Sequence, residues 1–434
     1  MITNFEKSNI LREKASKLIP GGAHTYSKGD DQFPQLSPHS IVRGKGARIY
    51  DVDGNEFVDW GMGLSSVLLG HSYEPINEAI RKELENGINF IRPSFIEAEV
   101  AELIHNQIPS AEMVKFSKNG SNATTSAVKL ARAYTGKETV LRCIDHPFYS
   151  IDDWFIGDTD ISCGVPENTK KLTKNFKYND IEDFKRVVSE NRDNGIACVI
   201  IEPSATEEPK DGYLHSLKDI CEKEGIVLIF DEVVSGFRFH PKGAQYLYGV
   251  TPHLSTFGKA MANGFSASAL VGKREIMELG GLEHDKERVF LLSTTYGGET
   301  HHLRAVQKNI EILNSNDYEV TKHIWSVGKT IRENYNRIAN SLDLAEITQV
   351  MGVDSRPYFY FKDNYLRTLF QQEMIKYGVL VQAIMPSFSH RDSEISQTVE
   401  AFEKSLKVVK NAVDLGIEKF LVGEAVKPVF RKYN

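Results

Sequence analysis

Ile226-Val-Leu-Ile-Phe-Asp231-Glu232-Val233 sets five apolar residues in a row ahead of two acidic ones. So short an apolar run, closed by charge, reads as a strand buried on both faces, the kind found inside a parallel sheet. The segment before it, Leu217 to Glu224, has helical spacing and a stop signal at Gly225, so helix and strand alternate as in a doubly wound α/β sheet. Ala197-Cys-Val-Ile-Ile-Glu202-Pro203 repeats the pattern of a buried strand ending in a carboxylate. Ligands of open α/β sheets bind outside the carboxyl ends of the strands, which is where Asp231 and Glu202 fall.

Downstream, Ser255-Thr-Phe-Gly-Lys259-Ala-Met-Ala-Asn-Gly264 places one lysine in a small, apolar run between two glycines expected to form turns. A lone lysine is ordinarily a surface or snorkelling residue. A desolvated one tends to lose its proton and becomes a nucleophile that condenses with an aldehyde. Asp231 changes the balance, because a carboxylate at a strand end and a lysine 28 residues on are the two groups that pyridoxal 5'-phosphate (PLP) requires. The lysine carries the aldehyde as an imine, and the aspartate keeps the pyridine nitrogen protonated.

With 434 residues the chain is long enough for a large core and two domains. A hydrophobic share of 41%, a charged share of 26% and a net charge of -7 give no electrostatic case for nucleic acid or an anionic membrane. No apolar run approaches the roughly 18 residues that span a bilayer, and Met1 to Lys7 lacks the core of a signal peptide, so the expected compartment is the cytoplasm. Cys143, Cys163, Cys198 and Cys221 show no C-x-x-C spacing, which argues for reduced thiols and against zinc.

Val114-Lys-Phe-Ser-Lys-Asn119-Gly120-Ser121-Asn122, running into Thr124 to Tyr134, reads as strand, glycine turn and helix. Backbone N–H groups at such a helix start make a phosphate cradle, to which Ser121 adds a hydroxyl, although plain helix capping accounts for the pattern equally well. The spacing is not that of a P-loop. Aromatic rings in Asp145-His-Pro-Phe148-Tyr149-Ser150 follow another strand, Glu138 to Arg142, and could stack on a flat cofactor or simply fill the core. Asp53-Gly54 marks a tight hairpin within Arg48 to Trp60, and the D-x-D-G there lacks the rest of an EF-hand. Residues Asp158 to Lys177 look like an irregular polar excursion. Ser293-Thr-Thr295-Tyr-Gly-Gly-Glu299 is a second polar turn before a helix, on which adjacent His301 and His302 stand about 100° apart and are poorly disposed to share a metal; no metal site is expected. The remaining chain is α+β and reads as a smaller domain.

Taken together, Pro20-Gly-Gly, Asp51-Val-Asp-Gly-Asn55, Gly70-His71, the Gly120 turn, Glu202-Pro203, Asp231-Glu-Val, Gly236-Phe-Arg238, Tyr248-Gly-Val-Thr-Pro252 and Gly258-Lys259 resemble the class III PLP-dependent aminotransferases, glutamate-1-semialdehyde aminomutase-like branch, over nearly the whole chain. The resemblance implies a type I PLP-dependent transferase fold: α/β, a mostly parallel sheet flanked by helices in a large domain over 76–312, and a smaller α+β domain from 313–434 to which the N-terminal segment 1–75 contributes, along with a cover for the site. It implies a homodimer with active sites at the interface. Residue by residue, it makes Lys259 the cofactor-bound, proton-moving lysine and Asp231 the partner of the pyridine nitrogen. Val233 would pack on one ring face, Asn119, Gly120 and Ser121 would hold the phosphate, and Glu202 would belong to the cofactor site. Thr295 would reach the phosphate of the neighbouring subunit, and either Phe148 or Tyr149 would stack on the ring.

Three departures bear on substrate. Aminomutases carry an arginine for the substrate carboxylate after Pro-Gly-Gly, and Ala23 to Gly29 contains none. Asn122 replaces the usual acid, while Gly297-Gly298-Glu299-Thr300 replaces Ser-Gly-Asn-Pro. Gln382-Ala-Ile-Met385 stands in place of a glutamate-bearing loop. The expectation is an aminotransferase passing an amine from a small donor to an aldehyde or ketone, such as a sugar or polyol derivative. A true aminomutase is the alternative, followed by an inactive binding relative. A nicotinamide dehydrogenase would need the G-x-G-x-x-G turn that is missing.

Overall fold

The computed structural model describes residues 1–433. The chain forms two compact units, one over Glu74–Thr321 and one made of Met1–Tyr73 with the chain from Lys322 onward. The first is built on seven strands: Met113–Ser117 (β1), Thr139–Cys143 (β2), Thr173–Phe176 (β3), Ile196–Ile201 (β4), Val227–Glu232 (β5), Leu254–Phe257 (β6) and Ser268–Gly272 (β7). Their order across the sheet is β1-β7-β6-β5-β4-β2-β3. β7 runs antiparallel to both its neighbours, and every other pairing is parallel.

Every position of β2, β4, β5, β6 and β7 is buried, as unbroken apolar runs demand when helices cover both faces. Tyr213–Glu224 crosses between β4 and β5, burying Leu214, Leu217 and Cys221 and ending at Gly225, whose φ of 62° supplies the left-handed cap. Gly120–Thr135 lays Ala123, Ala127 and Ala131 inward, and these small side chains let its axis lie close to the sheet. The polar stretch after residue 158 is not wholly irregular, since it contains the short helix Glu167–Lys170 and the edge strand β3. Only the two ends of β3, Thr173 and Phe176, are buried, so its apolar signal is too thin to mark a strand.

The second unit joins both ends of the chain through one sheet. Ile41–Lys45, Arg48–Asp51 and Glu56–Asp59 form an antiparallel set, and Val379–Leu380 adds to it in parallel. Thr348–Val353 pairs with Arg356–Phe361 in a separate ribbon. Trp60, Tyr335, Phe370 and Phe402 anchor the core between that ribbon and the helices Asn364–Lys376 and Asp392–Leu415. The buried polar tips are satisfied: Trp60 Nε1 donates to Thr398 Oγ1 at 3.0 Å, and Tyr335 Oη lies 2.6 Å from Thr348 Oγ1.

Phe176 is 1% exposed and packs edge-on against Phe184 with ring centroids 5.0 Å apart. Phe176→Ala should therefore cost about 3–5 kcal/mol in urea unfolding, which would mark β3 as an integral strand and not a surface excursion.

Candidate active site

β1, β2, β4, β5 and β6 all direct their C-terminal ends to one edge of the sheet, because the reversed β7 lies between β1 and β6 with Ser268 opposite Ser117 and Ala269 opposite Phe257. The candidate residues Asn119 to Ser121, Phe148, Glu202, Asp231 and Lys259 all follow or close these strand ends.

Asp231 and Glu232 show how one strand divides two neighbouring acids, since successive side chains point to opposite faces. Glu232, fully buried, ties down the following loop by accepting hydrogen bonds from Gln245 Nε2 at 2.9 Å, from Gln245 N at 3.2 Å and from Ala244 N. Asp231, 4% exposed, accepts from Val233 N at 3.0 Å and from Thr256 Oγ1 at 3.3 Å, both on Oδ1. Burial pushes the Asp231 carboxyl up to about 7. The charge of Glu202 acts in the same direction, whereas the Val233 amide, the Lys259 ammonium and the Thr256 hydroxyl pull it back. A buried carboxylate held that high gains from a cationic partner. Sequence reasoning missed Thr256, although it lies directly across from Asp231 in the β5–β6 register.

Lys259 opens a short 3-10 turn straight after β6 with a φ of 43°, and Asn263 closes it at 46°. Gly258, expected to be a turn glycine, is extended at φ −175°; the left-handed backbone belongs to the lysine itself. Strain of this kind in a residue other than glycine clusters at functional sites. Val233 is half-buried, and its methyls lie where a side chain on Gly120 would go: a Cβ there would meet Val233 Cγ1 at 2.8 Å, whereas one on Gly258 would make ordinary contact with it at 3.4 Å.

The phosphate-cradle candidate has the local chemistry it needs. Asn119 caps the helix from Gly120 by accepting from Asn122 N at 3.0 Å, leaving the N–H groups of Gly120 and Ser121 without intrahelical acceptors. Ser121 Oγ accepts from Ile151 N at 3.2 Å, so its own proton can go to a ligand. Ser266 Oγ and Ser268 Oγ hold the carbonyls of Lys118 and Asn119 at 2.7 and 2.8 Å. Of the two aromatic candidates, Tyr149 is 2% exposed, its hydroxyl 3.1 Å from His146 Nδ1, and so has no open face. Phe148 is 43% exposed and rests edge-on against Phe155. Thr295 lies on an exposed turn and its carbonyl accepts from Asn89 Nδ2 at 3.3 Å.

One expectation changes. Despite their angular separation on the helix, His301 and His302 each bring a ring nitrogen, with a Glu299 oxygen, to within 4.8 Å of one another. Lys118 Nζ binds two of the three, 2.7 Å from Glu299 Oε2 and 3.1 Å from His302 Nδ1.

These residues fit PLP. The missing Cβ at Gly120 lets the helix start pack against Val233, the helix start and Ser121 offer donors to a phosphate, Asp231 supplies a buried anion and Lys259 an amine at the next strand end. Gly120→Ala should destabilise the protein by about 1–3 kcal/mol, and Val233→Ala should restore most of the loss, as read by thermal unfolding. Asp231 makes a pH-dependent prediction. Its folded value of about 7 lies above the ordinary 3.8, so its contribution is complete below about pH 4 and is lost as pH rises through 7. Asp231→Asn should thus raise the melting temperature of cofactor-free protein at pH 8, the gain corresponding to a few kcal/mol at most at ~1.4 kcal/mol per pKa unit, and the difference should shrink as pH falls and vanish below about pH 4.

Residues 30–406 match the aminotransferase class-III family. The chain is 32% identical over 420 residues to the 3-aminobutyryl-CoA aminotransferase of Cloacimonas acidaminovorans (strain Evry), covering 93% of this chain and 97% of that one. It is also 32% identical over 433 residues to the glutamate-1-semialdehyde 2,1-aminomutase of Methanosphaera stadtmanae, covering 93% and 98%. The FumI protein of Sphingopyxis sp. MTA144 shares the fold, with a TM-score of 0.85 at 24% identity over 94% of this chain and 97% of that one. A transaminase solved with PLP bound gives 0.85 at 25% identity over 95% and 99%. The chain, matched along most of its length and gathering a lysine, a buried aspartate and a glycine turn at the strand ends of its sheet, belongs to the class III aminotransferases, which use PLP.

Proposed function

We propose that Lys259 and Asp231 are the working pair of this PLP-dependent aminotransferase. The observation that carries the reading is a buried carboxylate at the end of β5, close enough to feel the charge of the lysine that follows β6. Lys259 would hold the cofactor covalently, and Asn119, Gly120 and Ser121 would hold its phosphate. Val233 and the exposed ring of Phe148 would cover its faces, and Asp231, with Glu202 beside it, would face its pyridine nitrogen. When bound, PLP supplies an electron sink that lets the Cα proton of an amine leave. Once the donor amine has displaced it from the cofactor, Lys259 Nζ would take that proton and return it to the other carbon bonded to the amine nitrogen, and Asp231 would keep its negative charge opposite the ring nitrogen while this happens. Two such half-reactions move the amine from donor to acceptor. We take the enzyme to be a cytoplasmic homodimer with shared sites, in which Thr295 reaches the phosphate held by the neighbouring protomer.

For substrate, the two rewritten segments support each other within the smaller unit. Gln382 Nε2 donates to the carbonyl of Ser27 at 2.9 Å, so the stretch lacking the carboxylate-binding arginine touches the loop lacking the glutamate. A hydroxylated aldehyde or ketone, of the sugar or polyol kind, suits that neutral polar lining. The second reading, an aminomutase or a transaminase with a carboxylate substrate, is favoured by Arg367. Its guanidinium is 3.5 Å from the carbonyl of Gln382 and enters no ion pair among the described residues.

Pure protein mixed with PLP should show the visible absorbance of lysine-bound cofactor, and Lys259→Ala should abolish it. In the wild type an amino donor should bleach that band without any acceptor, and the mutation should slow this half-reaction on the order of 1000-fold or more. A band that survives in the variant overturns the assignment. Turnover of glutamate semialdehyde with no added donor selects the aminomutase.

A further inference from the structure

Lys118 immediately precedes the phosphate turn and is fixed at both ends. Its carbonyl accepts from Ser266 Oγ at 2.7 Å, and its ammonium donates to Glu299 Oε2 at 2.7 Å and to His302 Nδ1 at 3.1 Å. The three side chains are 23%, 13% and 1% exposed, so this is not a solvated surface pair of negligible value. Burial and the neighbouring ammonium depress His302 to about 3, which keeps the ring neutral and its Nδ1 an acceptor.

Glu299 closes the turn that bears Thr295. Around it the chain has little freedom: Thr300 N donates to the carbonyl of Ile88 at 3.0 Å, a Cβ on Gly297 would meet Thr294 Oγ1 at 2.7 Å, and one on Gly298 would meet the Glu97 carboxyl carbon at 2.8 Å. The Thr295 side of the turn is exposed by contrast. Its position relative to the phosphate turn is thus set from the Glu299 end, and the side chain spanning from one turn to the other is that of Lys118.

We propose that the Lys118–Glu299 ion pair, seated on His302, is a positioning strut that keeps the Thr295 turn in register with the phosphate turn at Asn119–Ser121. It governs cofactor retention through geometry and not through charge. The inference rests on the reading of both turns as phosphate-holding, and it links the turn that holds one protomer's cofactor to the turn offered to its partner.

The sign of one substitution separates the two modes of action. Glu299→Gln keeps the shape and leaves Lys118 charged: a strut loses its strong tie and PLP binds more weakly, whereas a lysine acting by charge on the phosphate is unmasked and PLP binds more tightly. Titrating the full-length protein with PLP by visible absorbance, we expect Glu299→Gln and Lys118→Met each to raise the Kd about tenfold, and the double variant to be within about threefold of the worse single. The 31P resonance of bound PLP should move in both, but not in Glu311→Gln, which removes the exposed Lys308–Glu311 pair on the same helix. Unchanged or tighter binding in Glu299→Gln, or additive losses in the double variant, overturns the proposal. Thr295→Ala tests the underlying reading separately: if it leaves the Kd unchanged, the role of Thr295 is what fails, and if it weakens binding while Glu299→Gln does not, the strut fails alone.

Discussion

Asp231 is an anion kept out of water. A carboxylate at the end of a central strand gives up solvation that two hydrogen bonds do not replace, and burial leaves its proton affinity raised about to neutrality. Much of the surrounding arrangement answers to that carboxylate. Glu232, next along the strand, is turned to the other face and consumed in holding the loop at residues 243–245, so it does not compete for the site. Lys259 follows the adjacent strand, and the strained backbone of that lysine persists because Phe257 and Asn263 on either side are buried.

The fold was legible where chemistry is monotonous. Ile226 to Phe230 and Ala197 to Ile201 can only be strands covered on both faces, and the carboxylates closing them point to the ligand edge of the sheet. β3 was not legible, because its Thr-Lys-Asn-Phe sequence buries only its two ends. The reversal of β7 was equally hidden, since a short apolar strand carries no mark of its direction. Within the candidate site, the glycine turn before the Gly120 helix could be read from its small residues, and the placement of Lys259 after a strand from the short apolar run around it. The division of labour between Phe148 and Tyr149 could not, because adjacent aromatics look alike until one is seen inside the core. The gathering of Glu299, His301 and His302 around Lys118 depends on rotamers and on a residue some 180 positions away, which no local pattern encodes.

The two units carry different kinds of information. Glu74–Thr321 contains Lys259, Asp231 and the Gly120 turn, the residues we propose to hold PLP. Two of the segments where the resemblance locates substrate recognition lie in the other unit, and there Gln382 joins Ser27 and Arg367 by hydrogen bonds. Enzymes of one family diverge in this way, with the reactive centre retained and the lining that chooses among substrates replaced.

The reversed strand also bears on the order of events during synthesis. Ser117 finds its partner in Ser268 only after some 150 further residues have been made, so the sheet edge at β1 stays unpaired while β2 to β6 leave the ribosome. Until β7 arrives, Ser268 is not there to hold the carbonyl of Asn119, and the turn before the Gly120 helix lacks that tie. Capture of the vitamin-derived ligand is then a late act in the life of a nascent chain, and chains truncated before residue 268 would carry the lysine and a glycine turn whose strand is not yet paired into the sheet.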